Sequence, residues 1–248
     1  MEDDKRMLVH LHVGKTSGAA VNRALRRHFP KDQYLHIKNG PDRFAELDKR
    51  IADGSIKEIR AICGPINYTI ADRIGEDCDY FTIFRHPIAR VCSFFNFIHV
   101  TPRHKLHKVL KEKGFTNLND IADFVPHRIE QLQLQWASAT CSRVTGRNDA
   151  HAVECQELWA TIGKQLDGRK IIIGDVAHIT QFLQKKKVIR GLLPVEPKTS
   201  FAGVSDFVPA SPQSLSEAAR RYIMEINQND MRLMGELIAR GTVRDNPT

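Results

Sequence analysis

The sequence predicts an α/β fold: a central parallel sheet flanked by helices in three layers. Short apolar runs of strand length alternate with helix-length amphipathic segments from Met7 to Phe84, and a further strand-like run recurs far down the chain. The composition of the 248 residues, 42% hydrophobic and 27% charged, is that of an ordinary globular chain able to bury one core. Met7–Val13 (MLVHLHV) is rich in Leu and Val, the pattern of a strand covered on both faces. A helix is expected from Gly18 to His28, stopped near Pro30. Tyr34–Ile37 reads as a short strand and Pro41–Ala52 as a helix with Pro41 near its first turn. Ile59–Cys63, Tyr80–Phe84 and Ile171–Ile173 are the remaining strands. Between Pro87 and Leu166 the pattern is helical, with Pro87 opening one helix and Gln131–Thr140 lying in another. The proline-rich stretch Pro194–Pro212 reads as an ordered loop. A single last helix is expected with Ser211 as its cap and Pro212 at its first position. Its buried face would carry Leu215, Ala219, Tyr222, Ile226, Leu233 and Leu237, and Gly241 would end it. One domain over residues 1–248 accommodates all of this.

Composition excludes several functions. No run of about 18 or more uncharged apolar residues is present, so no membrane span is expected. Met1–Arg6 carries both signs of charge and leads straight into the first strand, unlike a signal peptide. Cys63, Cys78, Cys92, Cys141 and Cys155 include no CxxC pair, which argues against a disulfide framework or a zinc cluster and favours a cytoplasmic setting. With 37 Lys+Arg against 29 Asp+Glu, the net charge of +8 favours anionic ligands. The chain has no recognisable nucleic-acid-binding motif and no aromatic-basic array, so that charge does not argue for nucleic acid.

Two stretches carry the chemistry. The first, Gly14-Lys15-Thr16-Ser17-Gly18-Ala19-Ala20, follows the first strand, and a helix begins inside it. A helix N-terminus presents free N–H groups and a partial positive charge, small residues let an anion approach the backbone, and Lys15 adds a full charge. The Thr16 and Ser17 hydroxyls are further donors. A nucleoside-triphosphate P-loop would need glycine where Val9 stands, although Ile171-Ile172-Ile173-Gly174-Asp175 ends in an acid suited to magnesium and keeps a P-loop kinase as a rival. The second stretch runs from Arg85-His86-Pro87 to Ser93. Ser93 lies about 9 Å along a helix from Pro87, within reach of an extended guanidinium, so Arg85 and Ser93 could grip one phosphate.

As a pair, these stretches resemble the cofactor signatures of sulfotransferases that use 3′-phosphoadenosine 5′-phosphosulfate (PAPS), most closely the carbohydrate branch that includes heparan sulfate 2-O-sulfotransferase and bacterial relatives. That branch carries a pattern like H-x-P-K-T-G-G-T-S, here His12 through Ala20, and R-x-P-x-x-R-x-x-S, here Arg85, Pro87, Arg90 and Ser93. The resemblance implies a P-loop-like three-layer fold. It also implies that Gly14, Lys15, Thr16, Ser17, Gly18, Ala19 and Ala20 hold the 5′-phosphosulfate, and that Arg85 and Ser93 hold the 3′-phosphate. Gly174-Asp175-Val176 with Phe182-Leu183, Pro197-Lys198-Thr199-Ser200, and Asn229-Asp230 with Leu233 match later family segments more weakly.

The sequence departs from the family at three places. Gly14 replaces a proline. Ala19 and Ala20 replace Thr-Ser, which removes two hydroxyls and leaves the backbone donors. Most consequentially, Pro65 in Cys63-Gly64-Pro65 stands where the family carries its catalytic histidine.

The implied reaction moves a sulfuryl group to an acceptor hydroxyl, with adenosine 3′,5′-bisphosphate as the product and no metal required. Lys15 would neutralise the leaving phosphate. His12, three residues before Lys15 and on the same strand face as His10, is a candidate base, with His86, His99, an acid outside these motifs, or no base at all also open. The basic segment Pro102–Gly114, with Arg103, Lys105, Lys108, Lys111 and Lys113, could steer an acidic glycan or other small acceptor, or form a solvated face. Lys185–Lys187 reads as surface and Trp136 as a core residue. A silent relative that binds the bisphosphate without catalysis is the alternative raised by Pro65.

Overall fold

The computed structural model describes residues 6–75, 78–122, 137–147, 150, 156–168, 171–185 and 209–243. The chain forms two compact units, one of residues 1–84, 142–147 and 155–197 and the other of residues 85–141, 148–154 and 198–248.

The first unit holds a five-stranded, wholly parallel sheet: β1 (Met7–Leu11), β2 (Tyr34–His36), β3 (Ala61–Gly64), β4 (Cys78–Phe84) and β5 (Ile171–Asp175), in the order β2-β3-β1-β4-β5. Each expected strand is present. β1 is shorter than Met7–Val13, because His12 already turns away from the ladder after donating its N–H to the Gly64 carbonyl. Helix α1 (Gly18–His28) has the bounds read from the sequence; a phenylalanine C-cap and Pro30 end it. Val21, Ala24 and Leu25 of α1 pack with Leu8, Ala61, Cys63, Phe81 and Ile83 of the sheet and with Ile179 and Leu183 of α8 (Ile179–Lys185). Helix α2 covers Ala45–Ala52, not Pro41–Ala52: residues 41–44 form a turn closed by the Ala45 N–H on the Asp42 carbonyl, so Pro41 precedes the helix instead of opening it. A one-turn α3 (Ala71–Ile74) and α7 (Gln156–Asp167) are further α-helices of this unit.

The order reverses around β1. The chain leaves β1 toward β2 on one side and leaves β4 toward β5 on the other, so β1 and β4 flank the switch point of the sheet. In open parallel sheets, ligands bind outside the carboxyl ends of strands at such a point. The carboxyl ends of these two strands are tied by a buried bond from the Thr82 hydroxyl to the Leu11 carbonyl, 2.7 Å long.

The second unit is helical. α4 (Pro87–His99) buries Ile88, Val91, Phe94, Phe95 and Ile98 against α5 (Lys105–Glu112), Phe115, Leu118 and α9 (Glu217–Ile226). The single last helix expected from Ser211 to Gly241 is in fact three elements. Ser211 caps a 3-10 turn, Pro212–Ser214; Ser216 caps α9; and α10 (Gln228–Ala239) follows a break at Asn227. The break has a tertiary cause, since the Asn227 side chain is held by Arg90 and by the Ser138 N–H. Gly241 ends α10 as read: at φ 66° it donates to the Ile238 carbonyl while Thr242 donates to Leu237. Helix α6 (Ala139–Thr145) begins in this unit and ends in the first.

Gln131–Trp136, the loop from Pro194 to Val208, Lys186 and Lys187 lie outside the described residues. Among the described residues no helix is long and apolar enough to cross a membrane. Cys63, Cys78, Cys92 and Cys141 are buried, and none of the four is in a disulfide.

Candidate functional site

The turn after β1 is made by backbone conformation. Lys15 and Ser17 both take left-handed angles, φ 68° and 62°, on either side of Thr16. Neither is glycine, so each costs energy that the surroundings must return. Alternation of this kind turns successive N–H groups toward one side and makes a concavity for an anion. Thr16 is fully buried, and its hydroxyl donates to the Val13 carbonyl at 2.9 Å, which staples the turn. That hydroxyl braces the loop, so what Thr16 can offer an anion is its N–H. Ser17 is the N-cap of α1 but makes no side-chain cap bond. The opening N–H groups of α1, including those of Gly18 and Ala19, have no acceptor within the helix. Gly14 and Ala19 are exposed, Lys15 and Ser17 half-buried, and Ala20 buried as part of the helix packing face.

Gly18 has a second reason to be glycine. A Cβ there would lie 1.9 Å from the His12 Nε2, so the imidazole rests directly on the first turn of α1. His12 shares its sheet face with His10, ring centroids 5.7 Å apart, and His10 stacks on Phe81 at 4.9 Å. His10 is fully buried and its Nδ1 lies 3.2 Å from the Cys63 sulfur. Beyond it, the Tyr34 hydroxyl donates to Asn22, whose amide meets the His36 Nε2 at 3.2 Å. Burial sets the protonation of this row. It holds His10 well below the ordinary histidine value, with His12 adding to the effect, and pushes the Cys63 thiol up to about 12. His12 is lowered from 6.5 to about 4, by burial first and then by Arg143, His36 and Lys15. Both strand histidines are therefore neutral at pH 7. Leu11–Gly64 is the last pair of the β1–β3 ladder, so His12 and Pro65 are the first residues beyond it, and the His12 N–H donates to the Gly64 carbonyl at 3.0 Å.

The corner after β4 is built from side chains within the second unit. His86 caps α4: its Nδ1 accepts the Ile88 N–H at 3.2 Å, which leaves the proton of the neutral ring on Nε2. Arg85 is half-buried, and burial lowers it from the usual guanidinium value. Its charge acts on Cys92, one residue before the half-buried Ser93. Burial pushes the Cys92 thiol up to about 11 despite that charge.

The motif's other arginine, Arg90, is 1% exposed and points into the protein. It donates to the Asn227 Oδ1 at 3.0 Å, and the same oxygen accepts the Ser138 N–H at 3.0 Å. Asp230, also buried, accepts the Thr140 and Cys141 N–H groups at 3.0 and 2.8 Å, and its charge counters the burial of Arg90. Arg90 is thus a scaffold cation that fixes the start of α6 and the break before α10. The pair Asn229-Asp230, quoted from the sequence without a role, belongs to this network; Asn229 donates to the Ala150 carbonyl at 2.6 Å.

Other candidates take plain roles. His99 ends α4, about 18 Å along the axis from its Arg85 end, with its ring against Phe95 at 4.3 Å. Asp175 accepts the Ala177 N–H at 2.9 Å and lies 3.6 Å from His178, a capping arrangement after β5. On α5 the lysines are exposed, and Lys108 pairs with Glu112 at 3.5 Å.

Sequence reasoning missed Arg143, which no motif marks; only the fold brings the end of α6 to the first unit. A comparison of the chain with protein-family models, curated proteins and solved structures finds no match in any of them. The site therefore rests on its own geometry.

Proposed function

We propose that this chain is a PAPS-dependent sulfotransferase of the P-loop-like kind, moving a sulfuryl group to a hydroxyl of a small or glycan acceptor. The observation that carries the reading is the placement of the motifs. Lys15–Ala20 follows β1, Arg85 follows the last residue of β4, and these strands flank the sheet's switch point. In this reading the N–H groups of Thr16 to Ala19 and the Lys15 ammonium take the 5′-phosphosulfate, and Arg85 with Ser93 takes the 3′-phosphate.

Sulfuryl transfer needs the acceptor oxygen in line with the bridging oxygen, charge stabilisation on the leaving phosphate, and a place for the acceptor's proton. Lys15 and the α1 N-terminus supply the second requirement. For the third, His12 follows the last β1–β3 pair on one strand as Pro65 does on the other, Pro65 standing where the resembled family carries its base, and in this reading His12 takes the proton from the neighbouring strand end. His12 is neutral and able to accept. Bound anion charge beside the ring favours its protonated form and moves it back toward the neutral pH range.

Pro65 also favours a second reading, in which the chain binds adenosine 3′,5′-bisphosphate without turnover. Incubation with radiolabelled PAPS and a glycan library separates the two: label appearing on an acceptor and lost in Lys15→Ala supports transfer. Tight bisphosphate binding with no labelled acceptor supports the silent reading. Preference for ATP with magnesium over the bisphosphate in calorimetry overturns both.

A further inference from the structure

The χ2 torsion of an imidazole is soft, so a histidine keeps one ring plane only where its surroundings impose it. For His12 two contacts do so. A Cβ at Gly18 would lie 1.9 Å from its Nε2 and 2.0 Å from its Cδ2, so the far edge of the ring stops on the first turn of α1. Its face is turned to the His10 ring, with centroids 5.7 Å apart and 23° between the planes. His10 is itself held from both sides. The β1 ladders pair it with Cys63 on β3 and with Phe81 on β4. Its Nδ1 lies 3.2 Å from the Cys63 sulfur, and its ring stacks on Phe81 at 4.9 Å and 19°. Three near-parallel rings thus lead from the buried Phe81 through His10 to the half-buried His12. Among the described residues the buried His10 Nε2 meets no hydrogen-bond partner, so what His10 contributes is its face and its Nδ1. Its burial also keeps it neutral, and a proton arriving on His12 meets no second charge in the stack.

We infer that His10 is a positioning residue for His12: by fixing the plane of that ring, it fixes the direction in which His12 takes up a proton. Direction matters because a general base works only within hydrogen-bond reach and alignment of the proton it removes. The inference rests on the proposed function for the use made of His12, and on the ring stack alone for its orientation.

The test is NMR of the His12 ring in the full chain, read beside sulfuryl-transfer kinetics. His10→Leu and His10→Met keep an apolar side chain on the strand but lose the flat ring, and either one carries the test if the other does not fold. In both, the His12 titration should rise from about 4 toward 6.5 as the ring leaves its stack. Their kcat should fall by about tenfold or more with KM for PAPS unchanged, and the acid limb of the pH–rate profile should move up with the titration. His10→Phe restores a flat ring and should recover most of the rate and a titration near about 4. A His12 titration that stays near about 4 without the ring, or a His10→Phe chain as impaired as the other two, overturns the inference. Transfer that survives His12→Ala overturns it as well. If the titrations behave as expected and the wild type labels no acceptor, the sulfotransferase reading fails and the placement of His12 by His10 stands.

Discussion

Compared with the corner after β4, the turn after β1 holds its shape with few side-chain bonds. It relies on two left-handed non-glycine residues, one threonine staple and a histidine lying on a glycine. The corner after β4 depends on a buried arginine, an asparagine and an aspartate drawn from distant parts of the chain. A site made from backbone N–H groups tolerates changes in side-chain identity, as at Ala19 and Ala20, but not changes in backbone conformation. One made from buried charges tolerates the reverse poorly, because a lost partner strands a charge.

The largest separation between the regions should come from removing Lys15 and Asp230 in turn. Lys15→Ala should lower sulfuryl transfer by about a hundredfold or more with little loss of stability, read by initial rates and urea unfolding on the same preparation. Asp230→Ala should instead cost about 3–5 kcal/mol of stability, because it removes a charge that counters the burial of Arg90 and takes the acceptor from the buried Thr140 and Cys141 N–H groups. If the two variants behaved alike, the contrast between a backbone site and a buried-charge scaffold would be wrong.

A smaller effect sharpens the first region. Gly18→Ala should destabilise by about 1–3 kcal/mol, since its Cβ meets the His12 ring, and His12→Ala in the same chain should relieve much of that cost. Additive losses in this double-mutant cycle would show that the ring does not rest on Gly18.

The pH dependence follows from the same contact. His12 takes a proton near 6.5 in the unfolded chain and near about 4 in the folded one, so its contribution is full above 6.5 and is lost as pH falls toward 4. His10 adds to the loss in the same direction. His12→Asn should therefore flatten the fall of the urea midpoint between pH 7 and pH 5. The smallest effect belongs to the surface: Glu217→Ala, which removes an exposed bond to Arg221, should change stability by less than about 0.5 kcal/mol.

Local signals were legible in the sequence. Apolar runs marked all five strands, and α1 was readable to the residue because a small-residue turn opens it and Pro30 follows its end. Both anion stretches stood out for the same reason: each packs its chemistry into a few consecutive residues. What escaped notice was tertiary. Periodicity carries Leu215 to Leu237 through as one helix, and only the grip of Arg90 and Ser138 on Asn227 breaks it. Gly18 looked like an anion's neighbour and is also a histidine's. Arg143, whose charge helps to lower His12, sits in no motif.

The central claim is that the turn after β1 and the corner after β4 serve opposite ends of one nucleotide. A crystal structure with adenosine 3′,5′-bisphosphate tests it most directly. The account predicts a single nucleotide, its 5′-phosphate on Lys15 and the N–H groups that open α1, its 3′-phosphate on Arg85 and Ser93. A nucleotide that engages one motif and leaves the other to solvent would contradict it.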